Sequence, residues 1–198
     1  MQLKKALEKA NIYLEKEQIE KLNIFTKKLL WYNRVHNISG LKSEDEVISN
    51  IVDSLIPITF VQEPKRLLDV GTGAGFPGLI LSIAWMGSFV TLLEPIQKRV
   101  TFLKLMVEQM NLSNVNVIKK RVENFQDNPY DLITSRAVTN TKDLLELTSH
   151  LSTSQTSYLF YKGSYVESEI AFEKGKLNYD IVSINKRNYL YIKGKNVT

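Results

Sequence analysis

A strand, a glycine-rich loop and the start of a helix follow one another in residues 66–78. The run Leu67–Val70, apolar except for one Asp, predicts a buried strand. Three glycines then stand at alternate positions, at Gly71, Gly73 and Gly75. Glycine permits turns that a side chain disfavours, and it lets a ligand lie directly against the main chain. Pro77 suits the first turn of a helix, where its missing N–H is no loss. This order predicts a nucleotide or nucleoside site at the carboxyl edge of a parallel sheet.

Two classes of cofactor fit this loop. Gly73, Gly75 and Gly78 spell G-x-G-x-x-G, the fingerprint of dinucleotide-binding proteins. Counted from Asp69, the same loop spells D-x-G-x-G-x-G, which is typical of methyltransferases that use S-adenosylmethionine (AdoMet). The Asp69 carboxylate can meet a cofactor ammonium or orient the loop. We predict a methyltransferase. The alternative is an NAD-dependent oxidoreductase, which is less favoured because the chain has no room for a separate substrate domain. A non-catalytic nucleic-acid-binding module on the same fold is a third interpretation.

The first 60 residues predict a helical cap, because their apolar residues recur at helical spacing. The predicted helices are Leu3–Ala10, Glu17–Asn33 and a third that starts at the S-x-x-E capping box of Ser43 and Glu46 and ends at Pro57. We expect residues 1–60 to pack as a cap beside a Rossmann-like domain of residues 61–198, in one compact unit.

From Lys65 onward, short apolar runs alternate with helical patterns. The predicted strands are Arg66–Val70, Phe89–Leu93, Asn114–Lys119, Tyr130–Ser135 and Ser157–Tyr161. The predicted helices are Pro77–Trp85, Pro95–Met110, Thr141–His150 and Tyr165–Lys174. Two last strands, Tyr179–Ile184 and Arg187–Lys193, are joined by the hairpin-length link Asn185-Lys186. This alternation predicts an α/β, Rossmann-like class I methyltransferase fold with a mixed, mostly parallel sheet that ends in an antiparallel hairpin.

The amino-acid composition limits which catalytic groups, metal sites and partners the chain can have. The chain has no cysteine, which excludes disulfides, thiolate metal sites and a cysteine nucleophile. Its two histidines are too few and too isolated for a zinc site, so we expect no metal. The net charge of +5 permits an anionic partner such as nucleic acid, and Lys27, Lys28 and Lys42 in the cap are candidates to contact phosphates. No apolar run approaches the ~20 residues of a membrane span, and a signal-peptide core is missing, so we expect a cytoplasmic protein.

Candidate ligand residues follow the second and third strands. Glu94 ends the second strand, where a carboxylate can accept hydrogen bonds from both ribose hydroxyls or can cap the helix that starts at Pro95. Val122 and Glu123 follow the third strand, at the same edge of the sheet. Val122 can contact a purine face and Glu123 can position the base, or both can belong to an ordinary loop.

The segment Ser135-Arg136-Ala137-Val138 follows the fourth strand, where methyltransferases hold the group that is methylated. It lacks the Asn/Asp-Pro-Pro-Tyr motif of enzymes that methylate base amines, and methylation of pyrimidine carbon-5 requires a cysteine. A nucleophile that owns a free lone pair remains, such as guanine N7, or an oxygen or amine elsewhere. Arg136 can bind phosphate, donate to O6 and N7 of guanine, or form a salt bridge in the loop.

Nearly the whole chain resembles the ribosomal RNA small subunit methyltransferase G family, also called glucose-inhibited division protein B. The most specific matches are the segments 68–78, 98–103 and 135–138, together with Lys162-Gly163, Arg187, Asn33, Asn37-Ile38-Ser39 and Asp53-Ser54. The chain departs from the family pattern at Tyr32, where members often carry Trp, and at Asn50, where they often carry His.

The resemblance implies that the chain uses AdoMet to methylate N7 of one guanosine in 16S ribosomal RNA. The missing cysteine, the missing amine-methylation motif and the lone pair of N7 predict direct in-line transfer without a general base. It implies cofactor contacts at Gly71, Phe76, Val122, Glu123 and Arg136, to which the strand-end pattern adds Asp69, Gly73, Gly75 and Glu94. Arg136 is the expected positioning residue in catalysis. The expected contacts with RNA are Asn37, Ser39, Ser135, Lys162 and Arg187. We expect a monomer, no membrane partner, and a substrate that is either free rRNA or the small ribosomal subunit during or after assembly.

Overall fold

The computed structural model describes residues 2–136, 138–171, 177–184 and 187–195. Three helices form the cap at the start of the chain: α1 (Gln2–Lys9), α2 (Lys16–His36) and α3 (Glu44–Leu55). The predicted capping box is confirmed, since Ser43 Oγ accepts from Glu46 N at 3.2 Å. Helix α3 ends at Leu55, two residues before the predicted stop, and Pro57 lies in the 3₁₀ turn Ile56–Thr59 that continues it.

One seven-stranded sheet follows the cap. Its strands are β1 (Arg66–Val70), β2 (Phe89–Leu93), β3 (Val115–Ile118), β4 (Leu132–Arg136), β5 (Ser157–Lys162), β6 (Tyr179–Ile184) and β7 (Arg187–Ile192). The order is β3-β2-β1-β4-β5-β7-β6, with β1 to β5 parallel and β7 antiparallel to both of its neighbours. The predicted mixed, mostly parallel sheet is therefore confirmed, while the link Asn185-Lys186 lies outside the described residues.

Four helices connect or follow the parallel strands: α4 (Gly78–Ala84), α5 (Gln97–Gln109), α6 (Thr141–Thr148) and α7 (Val166–Ile170). Pro77 and Pro95 precede their helices rather than starting them, and the predicted end of α6 is a 3₁₀ turn, Ser149–Leu151. The last predicted residues of α7, 172–174, lie outside the described residues.

The cap packs on the face of the sheet that also carries α4 and α5. Buried residues from α1, α2 and α3 belong to the same hydrophobic cluster as those of α4, α5 and β1, whereas α6 and α7 cover a second cluster. Phe25 of the cap meets Phe76 of the glycine loop edge to face, with ring centroids 5.3 Å apart. The loop is thus anchored in the packing between cap and sheet. Within the described part of the chain, no helix combines the length and the hydrophobicity needed to cross a bilayer.

The strand order reverses its direction of growth between β1 and β4. After β1 the chain builds β2 and β3 on one side, and then returns to place β4 and β5 on the other. The loops that leave β1 and β4 diverge at this point, so a crevice forms outside the carboxyl ends of the strands.

Candidate active site

A cavity of about 450 Å³ opens at this crevice, between the carboxyl ends of the strands and the cap. It is lined by the glycine loop, by the turn after β2, by Arg136 and Val138 after β4, and by four residues of the cap: Ile38, Ser39, Leu41 and Asn50. Its size is within the usual range of small-molecule sites. The sheet topology therefore brings together residues from four separate parts of the sequence.

The glycine loop folds over the end of β2. The amides of Gly71 and Thr72 both donate to Leu93 O, at 2.9 and 3.1 Å. Gly73 has a φ of +62°, and a Cβ built on it would meet no atom within 4 Å, because that direction is open. The Gly73 main chain is therefore open to the cavity on this side.

Asp69 lies beneath the loop, fully buried at the end of β1. Its Oδ2 accepts from Gly78 N at 2.8 Å, so the carboxylate holds the start of α4. A Cβ on Gly78 would come within 2.5 Å of both Asp69 Cβ and Leu92 Cδ2, which explains the glycine there by close packing. Burial raises the pKa of Asp69 to about 6. Of the two roles considered for Asp69, the structure shows the one that orients the loop.

Glu94 fastens the loop to the turn before α5. Its Oε2 accepts from Gly73 N at 2.9 Å, and its Oε1 accepts from Ile96 N at 2.9 Å. Arg99 Nη1 lies 3.6 Å from Oε2 and partly balances this buried charge. Glu94 thus binds the N–H of Ile96, the residue before α5, but no N–H of the helix itself, which has no side-chain cap, and Glu94 also lines the cavity.

Arg136 reaches the cavity from the end of β4, and the cap holds its guanidinium. Its Nη1 donates to Asn50 Oδ1 at 2.9 Å and lies 3.3 Å from Asp53 Oδ2. The guanidinium carbon also lies over the Phe76 ring, 4.9 Å from its centroid. Such a contact with an aromatic face restricts the orientation of the planar group. Arg136 is thus held in one orientation at the cavity wall.

Asp53 joins Arg136 to the last hairpin. Its Oδ1 accepts from Arg187 Nε at 3.0 Å and from Tyr189 Oη at 2.9 Å, both on β7. Sequence reasoning did not foresee that Asn50 and Asp53 hold Arg136. One feature of the sequence could have indicated it. Asn50, where the family often carries His, and Asp53-Ser54, which match the family, lie one turn apart on α3.

The structure does not bring the other predicted site residues together at the cavity. Val122 is buried in the second hydrophobic cluster and Glu123 is exposed, and neither lines the cavity. Ser135 Oγ donates to Val70 O at 2.9 Å inside the sheet. Lys162 is buried and pairs with Glu169 at 2.6 Å.

The predicted contacts in the cap occupy the turn after α2. Asn37 ends α2 in the left-handed conformation and is exposed, whereas Ser39 lines the cavity and accepts from Asn33 Nδ2 at 2.6 Å. Gly75 has a φ of +104°, and a Cβ built on it would come within 3.0 Å of Leu79 and 3.3 Å of Leu103.

The strand order and the cavity at its reversal define a protein with the Rossmann-like fold of AdoMet-dependent methyltransferases. A methyltransferase of this kind from Aquifex aeolicus superposes with a TM-score of 0.58 at 20% identity, covering 72% of this chain and 89% of that one. A putative caffeoyl-CoA O-methyltransferase from Staphylococcus aureus gives a TM-score of 0.58 at 16% identity, covering 85% and 92%. At such identities the likeness concerns the fold, and it confirms the predicted fold class.

The chain belongs to the rRNA small subunit methyltransferase G family, whose sequence pattern matches residues 18–195. It is 47% identical over 193 residues to the ribosomal RNA small subunit methyltransferase G of Aliarcobacter butzleri, which covers 97% of this chain and 98% of that protein. The corresponding protein of Wolinella succinogenes is 44% identical over 192 residues, with the same coverage. The family predicted from the sequence is confirmed.

Proposed function

We propose that this protein is an AdoMet-dependent methyltransferase that modifies N7 of a guanosine in 16S ribosomal RNA. The observation that carries the proposal is the cavity at the strand-order reversal, with Glu94 on one side and Arg136 on the other. Family membership supports methyl transfer to small-subunit rRNA. The choice of guanine N7 rests on the resemblance to the family and on the missing motifs for amine and carbon-5 methylation.

The residues present fit AdoMet. The open Gly73 main chain admits a flat ligand, and the Glu94 carboxylate suits ribose hydroxyls. Thr72 lines the cavity, and its buried hydroxyl lies beside the Asp69 carboxylate. When bound, AdoMet supplies a methyl group on a sulfonium, so that transfer to N7 forms an N–C bond, breaks the C–S bond and leaves the electron pair on sulfur. We assign the main chain at Gly71 and Gly73 and the side chains of Phe76 and Glu94 to cofactor binding.

Val122 and Glu123 complete the proposed cofactor contacts on the strength of the resemblance. Asp69 and Gly75 act beneath the loop, where they set its shape rather than touch the ligand. Both assignments follow from the burial of Asp69 and from the backbone conformation of Gly75.

Arg136 is the residue that we assign to positioning. Guanine N7 already presents a lone pair, so the protein has to align that lone pair and does not have to remove a proton. Orientation of this kind contributes about 7–11 kcal/mol in favourable cases. The hydrogen bonds that Arg136 donates to Asn50 and Asp53 fix its guanidinium at the cavity wall, where it can donate to guanine O6 or hold an anionic group and leave the N7 lone pair free.

Three of the predicted RNA contacts remain part of the proposal: Asn37, Ser39 and Arg187. The bonds of Ser135 to Val70 and of Lys162 to Glu169 support roles in the fold instead. We propose that cap and sheet, residues 1–60 and 61–198, act as one unit and as a monomer. A ribosomal substrate, free or within the small subunit, would place the activity in the cytoplasm.

The test is methylation of unmodified small-subunit rRNA and of small subunits by the purified protein, followed by nucleoside mass spectrometry. We expect 7-methylguanosine, and chain cleavage at one position after borohydride and aniline treatment. Arg136→Ala, which should methylate more slowly, serves as the comparison. Methyl groups on a base amine or a ribose oxygen would contradict the N7 proposal. Calorimetric binding of NAD in place of AdoMet would contradict the class of reaction.

A further inference from the structure

Trp31 has a large apolar side chain on the solvent-exposed face of α2. It is 60% exposed, whereas the other tryptophan, Trp85, is 5% exposed. On a helix the neighbours of residue i lie three and four positions away. For Trp31 these neighbours are Lys27, Lys28, Arg34 and Val35. An exposed indole is therefore bordered by three cations.

Between Glu20 and Glu44 the sequence carries only basic charges, of which Lys21 pairs with Glu17 at 2.8 Å and Lys42 donates its backbone N–H to Glu46 Oε2. Residues 21–43 contain no Asp or Glu, and their five basic residues are Lys21, Lys27, Lys28, Arg34 and Lys42. Two more cations of α5 reach the end of α2, where Lys98 Nζ donates to His36 O at 2.9 Å and Arg99 Nε donates to Ile38 O at 3.1 Å. The helix dipole favours cations only in the last turn of a helix. It accounts for Arg34 but not for Lys27 and Lys28, which lie more than two turns before His36.

A groove of about 320 Å³ lies at the end of α2 and shares one lining residue, Leu41, with the candidate active site. Its lining contains two cations, two amides and two leucines: Leu30, Asn33, Arg34, Asn37, Leu41 and Lys42. Arg34 also borders Trp31, and Leu41 also lines the active-site cavity. The groove therefore lies between Arg34, which neighbours Trp31 on α2, and Leu41, at the edge of the active-site cavity.

We infer that the surface formed by Lys27, Lys28, Trp31, Arg34, Val35 and Lys42, here called the Trp31 surface, binds an unpaired stretch of rRNA beside the target guanosine. A base stacks on the Trp31 indole, and the lysines and Arg34 contact the phosphates. Aromatic platforms bordered by cations bind single strands in this way, because every base presents a flat face and every linkage a negative charge. The inference deepens the proposed function, on which it rests for the identity of the RNA.

The packing of α2 favours RNA over a membrane surface. Helices that lie in a bilayer interface bury a broad apolar face among the lipids. The apolar face of α2 is already occupied, since Leu22, Phe25, Leu29 and Tyr32 are buried in the core. Only Trp31 and Val35 of the Trp31 surface are apolar and exposed, which suits one stacked base.

The test uses the full-length protein and a fluorescein-labelled single-stranded RNA that covers the methylated loop of small-subunit rRNA. Trp31→Ala is expected to weaken RNA binding roughly tenfold, and Trp31→Phe to restore most of it, because a ring suffices for stacking. Tyr13→Ala, which removes an aromatic that is 76% exposed elsewhere in the cap, is the matched control and should bind normally. RNA should quench the intrinsic tryptophan fluorescence of the wild type, and Trp31→Phe should abolish this signal. AdoMet affinity should be the same in all variants.

The contribution of the lysines to RNA binding is tested through its dependence on salt concentration. Removal of two phosphate contacts from a single strand lowers the slope of log Kd against log salt by about 1.4. The pair Lys27→Gln and Lys28→Gln should show this change. The pair Lys4→Gln and Lys16→Gln removes the same charge from exposed i,i+4 ion pairs and should not show it.

Several outcomes would overturn the inference. Unchanged RNA affinity in Trp31→Ala, no quenching of Trp31, or binding of anionic phospholipid vesicles in preference to RNA would each do so. These failures are distinct from failure of the proposed function. A wild type that methylates rRNA while Trp31→Ala binds normally overturns the Trp31 surface alone. A wild type that binds RNA through Trp31 without producing 7-methylguanosine overturns the proposed function alone.

Discussion

The guanidinium of Arg136, at the end of β4, lies 3.3 Å from the carboxylate of Asp53 on α3. The same carboxylate accepts hydrogen bonds from Arg187 and Tyr189 on β7. The orientation of Arg136 therefore depends on the docking of both the cap and the last hairpin. Asp53 is a positioning residue, because it acts on the cavity through Arg136.

Asp53→Asn should lower the rate of methyl transfer about tenfold, since coupled neighbours share interaction energies of about 0.5–3 kcal/mol. The loss should disappear in the Arg136→Ala background, because Asp53 then has no guanidinium to orient. A double-mutant cycle on single-turnover rates measures this. Asp180→Asn, at an exposed ion pair with Lys193, is the control. Additive losses in the double variant would show that Asp53 acts independently of Arg136.

Substitution of Arg136 by either Ala or Lys should impair methyl transfer. Arg136→Ala should reduce the rate or the affinity without creating a new pH optimum, because no proton is removed in the reaction. Arg136→Lys should recover little activity, since an ammonium cannot reproduce the planar fork that meets Asn50 and Asp53 together. A pH–rate profile of each variant checks this, and a shifted optimum would point to a general base.

Gly73→Val should lower AdoMet affinity at least tenfold, because the side chain enters the open cavity where the ligand meets the main chain. The left-handed φ also costs about 1–2 kcal/mol of stability. Gly40→Val is a matched control for that strain, since Gly40 has a φ of +73° and open space around it. The temperature of thermal unfolding should fall equally in the two variants, while calorimetry should detect a loss of AdoMet binding only in Gly73→Val. Equal affinities would contradict the proposed cofactor position.

Asp69 should make the protein less stable as pH rises through the mildly acidic range. Burial raises the pKa of Asp69 from 3.8 to about 6, so the folded state retains a proton that the unfolded chain releases. The free energy of unfolding then falls by up to about 3 kcal/mol between about pH 4 and pH 6. Asp69→Asn should remove this slope. Asp131→Asn, an exposed carboxylate that also accepts a backbone N–H, should retain it. Urea unfolding across this pH window is the measurement.

Lys162→Met should destabilise the fold by about 2 kcal/mol, because it leaves the Glu169 carboxylate without its charged donor. Burial alone would raise the pKa of Glu169, but the hydrogen bond and charge of Lys162 outweigh it and hold the pKa below its usual value. Adding Glu169→Gln should recover much of the stability, as measured by urea unfolding. A direct RNA contact of Lys162 would instead appear as weaker RNA binding with unchanged stability.

The local pattern of the sequence was sufficient for the central elements. The bounds of β1 and β2 agree with the prediction residue for residue, because a short apolar run ended by glycine or a carboxylate has few other structures available. The glycine loop was recognised for the same reason. The bounds of β6 agree as well, and most other element ends are displaced by one to three residues, as at Leu55, where the helix continues as a 3₁₀ turn through a proline.

The polar partners were decided by the tertiary structure. Arg136 meets Asn50 and Asp53 across 86 and 83 positions of sequence, and no periodicity links residues so far apart. Likewise, Ser135 was predicted to face RNA but bonds to Val70, because β4 lies beside β1 in the folded sheet. Hydrophobic periodicity records which face of an element is buried. The hydrogen-bond partner of a buried polar group is set only when separate elements dock, because the partner must lie within about 3 Å in the right direction.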